Sequence, residues 1–456
     1  MTTGSMTLAR RLFLSGCMLT KTTEFAARRL GAGFFLPALF VLRYANMGGI
    51  DPDLFAGQLA QARSFTDDRW CAYWDEIAAT QVAAADRALR ELADPSAPTV
   101  RGLLDADDQA TVTALGALLA PASPILADHG PQATTDAIER IAREKADGGR
   151  AATERLAATA KAVDALVKAI TYFQVSAFPG GSPARMRAYT TSRRLFGLLA
   201  ASLTPGLSGS IERIAVPVDG DIVQGYAAFP AGTRQCPVVL ATNGLEGTAQ
   251  ELLIPLLKYR DTGMGIVAME RPGTYAYRRP MSATSERIYH QVIEHLAGHP
   301  RVDAERIGMV GVSFGGYWSA RMAATNPRLR CAVACGAPTH RTFQPAGSVG
   351  IPEIIVQALH TTTGATNLLS LARKLRTLSL RGLYERITIP LLVINGDHDT
   401  LVSTHDSVEL AQQAPAAILR LYPDDDHCAM GHYNEWLDRC QTWLQDHLTA
   451  DATEQP

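Results

Sequence analysis

At 456 residues, 47% hydrophobic and a formal net charge of -2, the chain is long enough to bury a large core spread over two or three domains. Its Lys and Arg are dispersed, which leaves no basic footprint for nucleic acid, and it carries neither a phosphate-cradling P-loop nor a dinucleotide fingerprint. The seven Cys form no C-x-x-C pair, a pattern that suits a reduced cytoplasm, and no cofactor or metal is expected.

In chain order, Arg10-Arg11 precedes Leu12-Phe13-Leu14, and Leu14-Ser15-Gly16-Cys17 imitates a lipoprotein processing site. Three apolar residues fall short of the roughly 7 to 15 that an export signal requires, so the imitation carries no meaning. Phe34 to Leu42 is likewise shorter than the roughly 20 residues of a spanning helix; it reads as helix packing or a homodimer contact, and no membrane partner is expected. From Asp51 to Leu203 the pattern is helical. Trp70, Trp74, Ile77 and Gln81 follow steps of four, three and four, and with Tyr73 they make a heavy apolar face that reads as core. Ala151 to Phe178 is a second long helix ending at Pro179-Gly180-Gly181, with breaks before it at Asp94-Pro95-Ser96-Ala97-Pro98 and Pro121-Ala122-Ser123-Pro124. Residues 1–205 are therefore expected to form a helical N-terminal domain that supplies one wall of a cleft.

The pattern then changes. Strands are expected at Ile211 to Val216, Val223 to Phe229, Val238 to Thr242 and Ile266 to Met269, with helices at Ala249 to Tyr259 and Thr284 to Leu296. Alternation of strand and helix implies an α/β fold with a mostly parallel sheet, its opening pair an antiparallel hairpin at the edge around Gly220. Arg306 to Val310, Cys331 to Gly336, Ile389 to Asn395 and Ala417 to Tyr422 complete the strands. Cys331 and Cys335 read as small buried hydrophobes on or beside the strand they share. About fifty residues separate the strand at Cys331 from that at Ile389, far more than an ordinary connection. This segment, 340–386 with a helical pattern from Gly350 to Leu383, is expected to cap the core of residues 206–450, leaving 451–456 as a flexible tail.

Gly311-Val312-Ser313-Phe314-Gly315 is a G-x-S-x-G turn between an apolar strand and the helical pattern of Gly316 to Ala324. That context forces the central Ser into a strained, exposed conformation and makes Ser313 the candidate nucleophile. A Ser hydroxyl needs a base, and the base needs a carboxylate to fix its tautomer. In this architecture the acid and then the His follow on later strand ends. Asp399 and Asp397 both follow the strand ending at Asn395; Asp399 is preferred, because Asp397 lies directly after Gly396, where an Asp ordinarily holds the turn. His427, after the last strand, is preferred over His398, His405 and His432, and Asp424, Asp425 and Asp426 read as a solvated acidic turn. Oxyanion donors are expected from the backbone N–H of Phe314 and of Leu245, the latter in the loop Asn243-Gly244-Leu245-Glu246-Gly247-Thr248.

The run Gly244 to Glu251, then Glu270-Arg271-Pro272-Gly273, His299-Pro300-Arg301-Val302-Asp303 and the Ser313 elbow with Gly315-Gly316-Tyr317, resembles the alpha/beta hydrolases of the FrsA and Ayg1-like group. The likeness is firm from about Ile211 to Leu448. It implies an alpha/beta-hydrolase core behind a helical N-terminal region. Pigment polyketide-shortening hydrolases and a dihydroxy-pseudo-oxynicotine hydrolase belong to that group. Gly247, Ala249 and Gln250 replace the group's usual Ser, Lys and first Glu, and Glu270-Arg271 replaces its Asp-Gly, so the resemblance implies hydrolase chemistry without implying a particular substrate.

Glu246, Tyr275 and Arg278 are the candidate substrate contacts, with Tyr277 and Arg279 beside them. The arginines read either as partners of an anionic substrate group or as a solvated loop. The reading that follows is a serine hydrolase acting on an ester, a thioester or a C–C bond beside a carbonyl, in a small-molecule acyl or polyketide-like secondary metabolite. An acyltransferase or cyclase of the same fold, which keeps water from the acyl-enzyme, is the alternative, and a catalytically silent binding protein is a third; fold alone does not separate them.

Overall fold

The computed structural model describes residues 8–92, 98–106, 108–144, 149–207, 209–232, 234–344 and 350–449. The tail 451–456 and most of the break at Asp94 to Ala97 lie outside the described residues. Among the described residues ten helices precede the sheet: α1 (Leu8–Thr20), α2 (Thr23–Leu30), α3 (Leu39–Gly48), α4 (Pro52–Gln61), α5 (Asp67–Arg90), α6 (Val100–Ala106), α7 (Gln109–Leu119), α8 (Ser123–Glu144), α9 (Arg150–Ala177) and α10 (Pro183–Gly206). Trp70 and Trp74 on α5 are 1% and 0% exposed and pack on each other, and Trp74 stacks on Tyr172 of α9. The aromatic stripe is thus core, as its spacing predicts. The segment from Phe34 to Leu42 ends a short 3-10 turn and opens α3, whose Phe40 is buried against Phe178. The stretch Gln109–Pro131 is long and apolar enough to cross a bilayer, yet its Leu115, Leu119 and Leu126 lie in the helical core at 0%, 1% and 0% exposure.

Eight strands follow: β1 (Ser210–Val218), β2 (Asp221–Phe229), β3 (Cys236–Thr242), β4 (Gly265–Met269), β5 (Val302–Val312), β6 (Leu329–Cys335), β7 (Leu391–Gly396) and β8 (Ala417–Tyr422). They form one sheet in the order β1-β2-β4-β3-β5-β6-β7-β8. β1, β2 and β4 pair antiparallel, the rest parallel, so the opening pair is the edge hairpin that the sequence predicts. Between and after the strands run α11 (Ala249–Leu256), α12 (Glu286–Ala297), α13 (Phe314–Thr325), α14 (Glu353–Thr363), α15 (Leu368–Arg376), α16 (Thr404–Gln413) and α17 (Tyr433–Thr449). The helix expected to reach Tyr259 ends earlier, at Leu256, and tightens into a 3-10 turn over Leu257–Thr262.

Both faces of the sheet are covered, which is why its strands are apolar in alternate and in consecutive positions alike. Val239, Ala241 and Val310 face one apolar cluster together with α11, α17 and the N-terminal helices; Val238, Leu240 and Met309 face the other, with α12, α13 and Leu410 of α16. The first cluster runs without interruption from Trp70 and Trp74 through Leu166 and Leu199 to Ile266 and Trp436. The N-terminal helices and one face of the sheet therefore share a single core.

β3 lies between β4 and β5, so the chain reverses its winding direction there. Such a switch point opens a crevice at the carboxyl ends of the two strands. The loop after β3 is Asn243 to Thr248, and the turn after β5 is Ser313.

Candidate active site

Ser313 has φ 57 and ψ -120, in the left-handed region that costs a side-chain-bearing residue about 1–3 kcal/mol. Close packing enforces the turn. A Cβ at Gly311 would overlap the Gly315 carbonyl, and one at Gly315 would overlap the carbonyl of Thr242 on β3. The turn is tied by Ser313 N–H donating to Cys335 O at 2.7 Å and by Tyr317 N–H donating to Ser313 O at 3.1 Å.

His427 reaches Ser313 from the loop after β8. Its Nε2 is 2.8 Å from Ser313 Oγ and its Nδ1 2.8 Å from Asp399 Oδ2. An ionised carboxylate only accepts, so Nδ1 carries the proton and the free Nε2 accepts from the Ser313 hydroxyl. The His427 side chain is 4% exposed and that of Asp399 is 0%. Burial alone would lower the His427 pKa; the Asp399 carboxylate outweighs it and holds the imidazole well above its ordinary value. Asp399 is itself fully engaged: Oδ1 accepts from the N–H of Leu401 at 2.9 Å and Val402 at 2.8 Å, and Oδ2 also accepts from Asn395 Nδ2 at 2.9 Å. The turn-holding role assigned to Asp397 thus falls to Asp399 as well, while the Asp397 side chain is exposed and meets His398, 2.6 Å away, its backbone N–H donating to Tyr422 O at 3.1 Å and its carbonyl accepting from the Thr404 hydroxyl.

Of the acidic turn only Asp424 is exposed as expected; the other two acids are buried, contrary to expectation. Asp425 and Asp426 are 3% and 8% exposed. Asp426 accepts from the N–H groups of Thr400 and His427, each at 2.7 Å, and Asp425 accepts from His432 Nδ1 at 2.8 Å. These carboxylates serve backbone donors that the irregular loop would otherwise leave buried and unpaired. They bind the two loops that carry the acid and the histidine to each other. Asn395, buried at the end of β7, does the same: its Oδ1 accepts from Gly396 N–H and Cys428 N–H, both at 3.0 Å.

Leu245 and Phe314 border the same cavity as Ser313 and His427. The hydrogen-bond network of the described residues assigns no acceptor to either backbone N–H. Gly244 permits the approach, since a Cβ there would stand 2.8 Å from Ser313 Cβ. Glu246, Tyr275 and Arg278 do not reach the cavity. Glu246 is 2% exposed, sits at φ 55, and accepts from Gly180 N–H at 3.0 Å and the Thr362 hydroxyl at 3.3 Å. Tyr275 stacks on Tyr189 at 4.3 Å and donates to Glu246 O at 3.1 Å. Arg278 is exposed, and its N–H donates to Asp221. All three brace the loop or its surroundings, and the solvated-loop reading of the arginines holds for Arg278.

Two arginines that sequence reasoning missed hold the Leu245 loop. Arg43 of α3 pairs with Glu251 through Nε–Oε1 at 2.5 Å and Nη2–Oε2 at 2.8 Å, and donates to the carbonyls of Leu245 at 3.4 Å and Glu246 at 3.3 Å. Burial works against its charge, and Glu251 overcomes it, keeping the guanidinium firmly protonated. Arg271, 0% exposed, donates through Nε to Gly244 O at 3.1 Å and through Nη2 to the Thr362 hydroxyl at 3.0 Å. Arg43 lies 208 positions from Glu251, so no local pattern announces the pair. Asn46 on the next turn of α3 donates to Met430 O at 2.9 Å, and one helix thereby touches both the Leu245 loop and the loop of His427.

The cavity is narrow, about 110 Å³. Leu39, Phe40 and Met47 of α3 form one side, and Ile351, Ile355 and Leu359 the other. The segment after β6 therefore borders the same cavity as Ser313, through Ile351 and through Ile355 and Leu359 of α14. Asp406, buried at the start of α16, anchors its beginning by accepting from the N–H groups of His340 at 3.0 Å and Thr342 at 3.0 Å.

A family model described as FrsA-like, Esterase FrsA-like, matches residues 148–449. Esterase FrsA of Photobacterium profundum is 24% identical over 301 residues, covering 61% of this chain and 69% of its own. The 2,6-dihydropseudooxynicotine hydrolase of Paenarthrobacter nicotinovorans is 26% identical over 258 residues, covering 55% and 69%. Among solved structures, 2,6-dihydroxy-pseudo-oxynicotine hydrolase superposes with a TM-score of 0.62 at 19% identity over 89% of this chain and 95% of that one. AbyA5 does so with a TM-score of 0.56 at 21% identity over 78% and 96%. The fold is that of the alpha/beta hydrolases, with a helical N-terminal region, and the chain belongs to the FrsA-like esterase family of hydrolases.

Proposed function

We propose that this hydrolase works through Ser313, His427 and Asp399. His427 Nε2 takes the Ser313 proton as Oγ attacks a carbonyl, and Asp399 steadies the imidazolium that results. The N–H groups of Phe314 and Leu245 receive the oxyanion, and the leaving group departs with the proton from His427, leaving an acyl-enzyme for water to cleave. The observation that carries this reading is the unbroken chain of two 2.8 Å hydrogen bonds from Asp399 to a strained Ser313 at the base of a cavity.

The cavity also bears on the substrate. Its walls are mostly aliphatic and aromatic, and Arg43, which borders it, already has a carboxylate partner. A neutral, apolar acyl group suits such walls, in an ester, a thioester or a C–C bond beside a carbonyl, the substrate drawn from secondary metabolism. Cover by α3 and α14 also restricts water, which favours acyl transfer or cyclisation as the second reading. A panel of p-nitrophenyl esters, acyl thioesters and beta-diketones, with and without an added alcohol acceptor, tests both. Hydrolysis by the wild type and a loss of about 10³-fold or more in Ser313→Ala supports the first reading; full activity in that variant removes it, and an acyl product that forms only with the alcohol supports the second.

A further inference from the structure

Phe314, Thr342, Ile351 and Leu359 border not only the catalytic cavity but also an adjoining second chamber, of about 310 Å³. Those four residues line both spaces, and Phe314 directly follows Ser313. The far side is built by Met18 and Leu19 of α1 and by Leu371, Ala372 and Leu375 of α15. Leu368, Leu371 and Leu375 are spaced by three and four, which turns one face of α15 inward, and Gly350 N–H donates to the Ser15 hydroxyl at 3.0 Å, fixing α1 to the cap. At the outer rim Leu19 and Leu368 are 66% and 47% exposed, so the chamber reaches solvent there.

Among the described residues no charged side chain lines this space. Only Ser15, Thr342 and Gln344 bring polar groups, and each is already committed: Ser15 to Gly350, Thr342 to the Asp406 carboxylate at 2.6 Å, Gln344 to His340 O at 3.5 Å. Eleven of the fourteen lining residues are apolar, so the space suits an apolar ligand. Protein interiors are otherwise close-packed, so an apolar space of this size beside the nucleophile is room for a ligand.

We propose that the second chamber binds the distal part of a long alkyl chain whose carbonyl lies at Ser313, which makes long-chain acyl esters or thioesters the substrate class. The placement of the carbonyl rests on the hydrolase reading; binding of the chain does not. Each methylene removed from water adds roughly fourfold to binding, so kcat/KM should keep rising along a p-nitrophenyl ester series from acetate to palmitate.

Two variants fill the chamber from its far side, Ala372→Trp on the half-buried face of α15 and Met18→Trp on α1. Both should hydrolyse acetate and butyrate esters like the wild type, which also reports that they are folded, and lose at least tenfold on the longest esters. Length profiles that superimpose on the wild type, or an equal loss at every length in both folded variants, overturn the proposal. Calorimetry of dodecanoate with Ser313→Ala gives a readout free of turnover: Ala372→Trp in that background should weaken binding at least tenfold, and an unchanged Kd overturns the chamber. If no ester is cleaved but this binding difference is found, the hydrolase reading fails and the chamber stands.

Discussion

Replacing Arg43 by Met tests whether the N-terminal helices take part in the chemistry or only cover it. The substitution keeps a long apolar side chain but strands Glu251, whose side chain is 1% exposed. Removing one partner of a buried ion pair costs about 3–5 kcal/mol. Glu251 keeps two donors, Asn243 Nδ2 at 3.1 Å and Thr248 N–H at 3.3 Å, so the loss should fall near the lower end, about 3 kcal/mol in urea unfolding. The carbonyls of Leu245 and Glu246 lose their guanidinium donor at the same time. If that tie aims the Leu245 N–H, kcat on a short ester should drop by about 10- to 100-fold, bounded by the 10²–10³ that removal of a whole oxyanion donor costs. Arg43→Met with Glu251→Gln should recover most of the stability, because no charge is left unpaired, without recovering kcat. A single variant within about 1 kcal/mol of wild type and with unchanged kcat would refute the reasoning.

Asp399→Asn should reduce turnover by about 10⁴-fold through the wrong His427 tautomer, whereas Asp397→Asn, on an exposed side chain, should change it little; steady-state kinetics of the pair would show an exchange of roles if the assignment were reversed. The base must be neutral to act, so kcat/KM should rise with pH through the His427 pKa, and Asp399→Asn, which removes the carboxylate that raises that pKa, should move the residual activity's rising limb to lower pH. Burial, against Arg193 and the hydrogen bond from Tyr189, raises the Glu270 carboxyl from 4.5 to about 7. The folded chain then holds a proton that the unfolded chain has released, so this contribution is full below pH 4.5 and is lost as pH rises to about 7. At 1.36 kcal/mol per pH unit it amounts to about 3 kcal/mol, and unfolding of Glu270→Gln should lack that slope. A core beginning near Ser210 would expose the sheet face that packs on the N-terminal helices, including Tyr226 and Ile266, and should be poorly soluble or inactive on bulky substrates; a stable monomer with wild-type kcat/KM would separate the two regions.

What the sequence disclosed was whatever its chemistry confines to short patterns. The eight strands and the Ser313 elbow are legible because buried parallel strands are continuous apolar runs and the elbow needs Gly on both sides of its Ser. The cap is legible as an overlong connection. Asp425 and Asp426 were misread because three successive acids ordinarily face water, whereas here an irregular loop turns its buried N–H groups toward two of them. Glu246, Tyr275 and Arg278 lie near the right loops, but side-chain direction depends on the positive φ of Glu246 and Tyr275, which no pattern reveals. Arg43, Arg271 and Asn395 act through partners on other elements. Asn395 left a trace as a polar residue closing an apolar strand, and Arg271 as a departure from the group's pattern, but Arg43 left none.

The central claim is that Ser313 is acylated with His427 as its base. Intact-mass spectrometry of the wild type, Ser313→Ala and His427→Ala after brief exposure to a fluorophosphonate, followed by peptide mapping, tests it most directly. One adduct on Ser313 in the wild type, none in Ser313→Ala and labelling slowed by several orders of magnitude in His427→Ala is the expected result. An adduct on another residue, or labelling of Ser313 at an undiminished rate without His427, would contradict it.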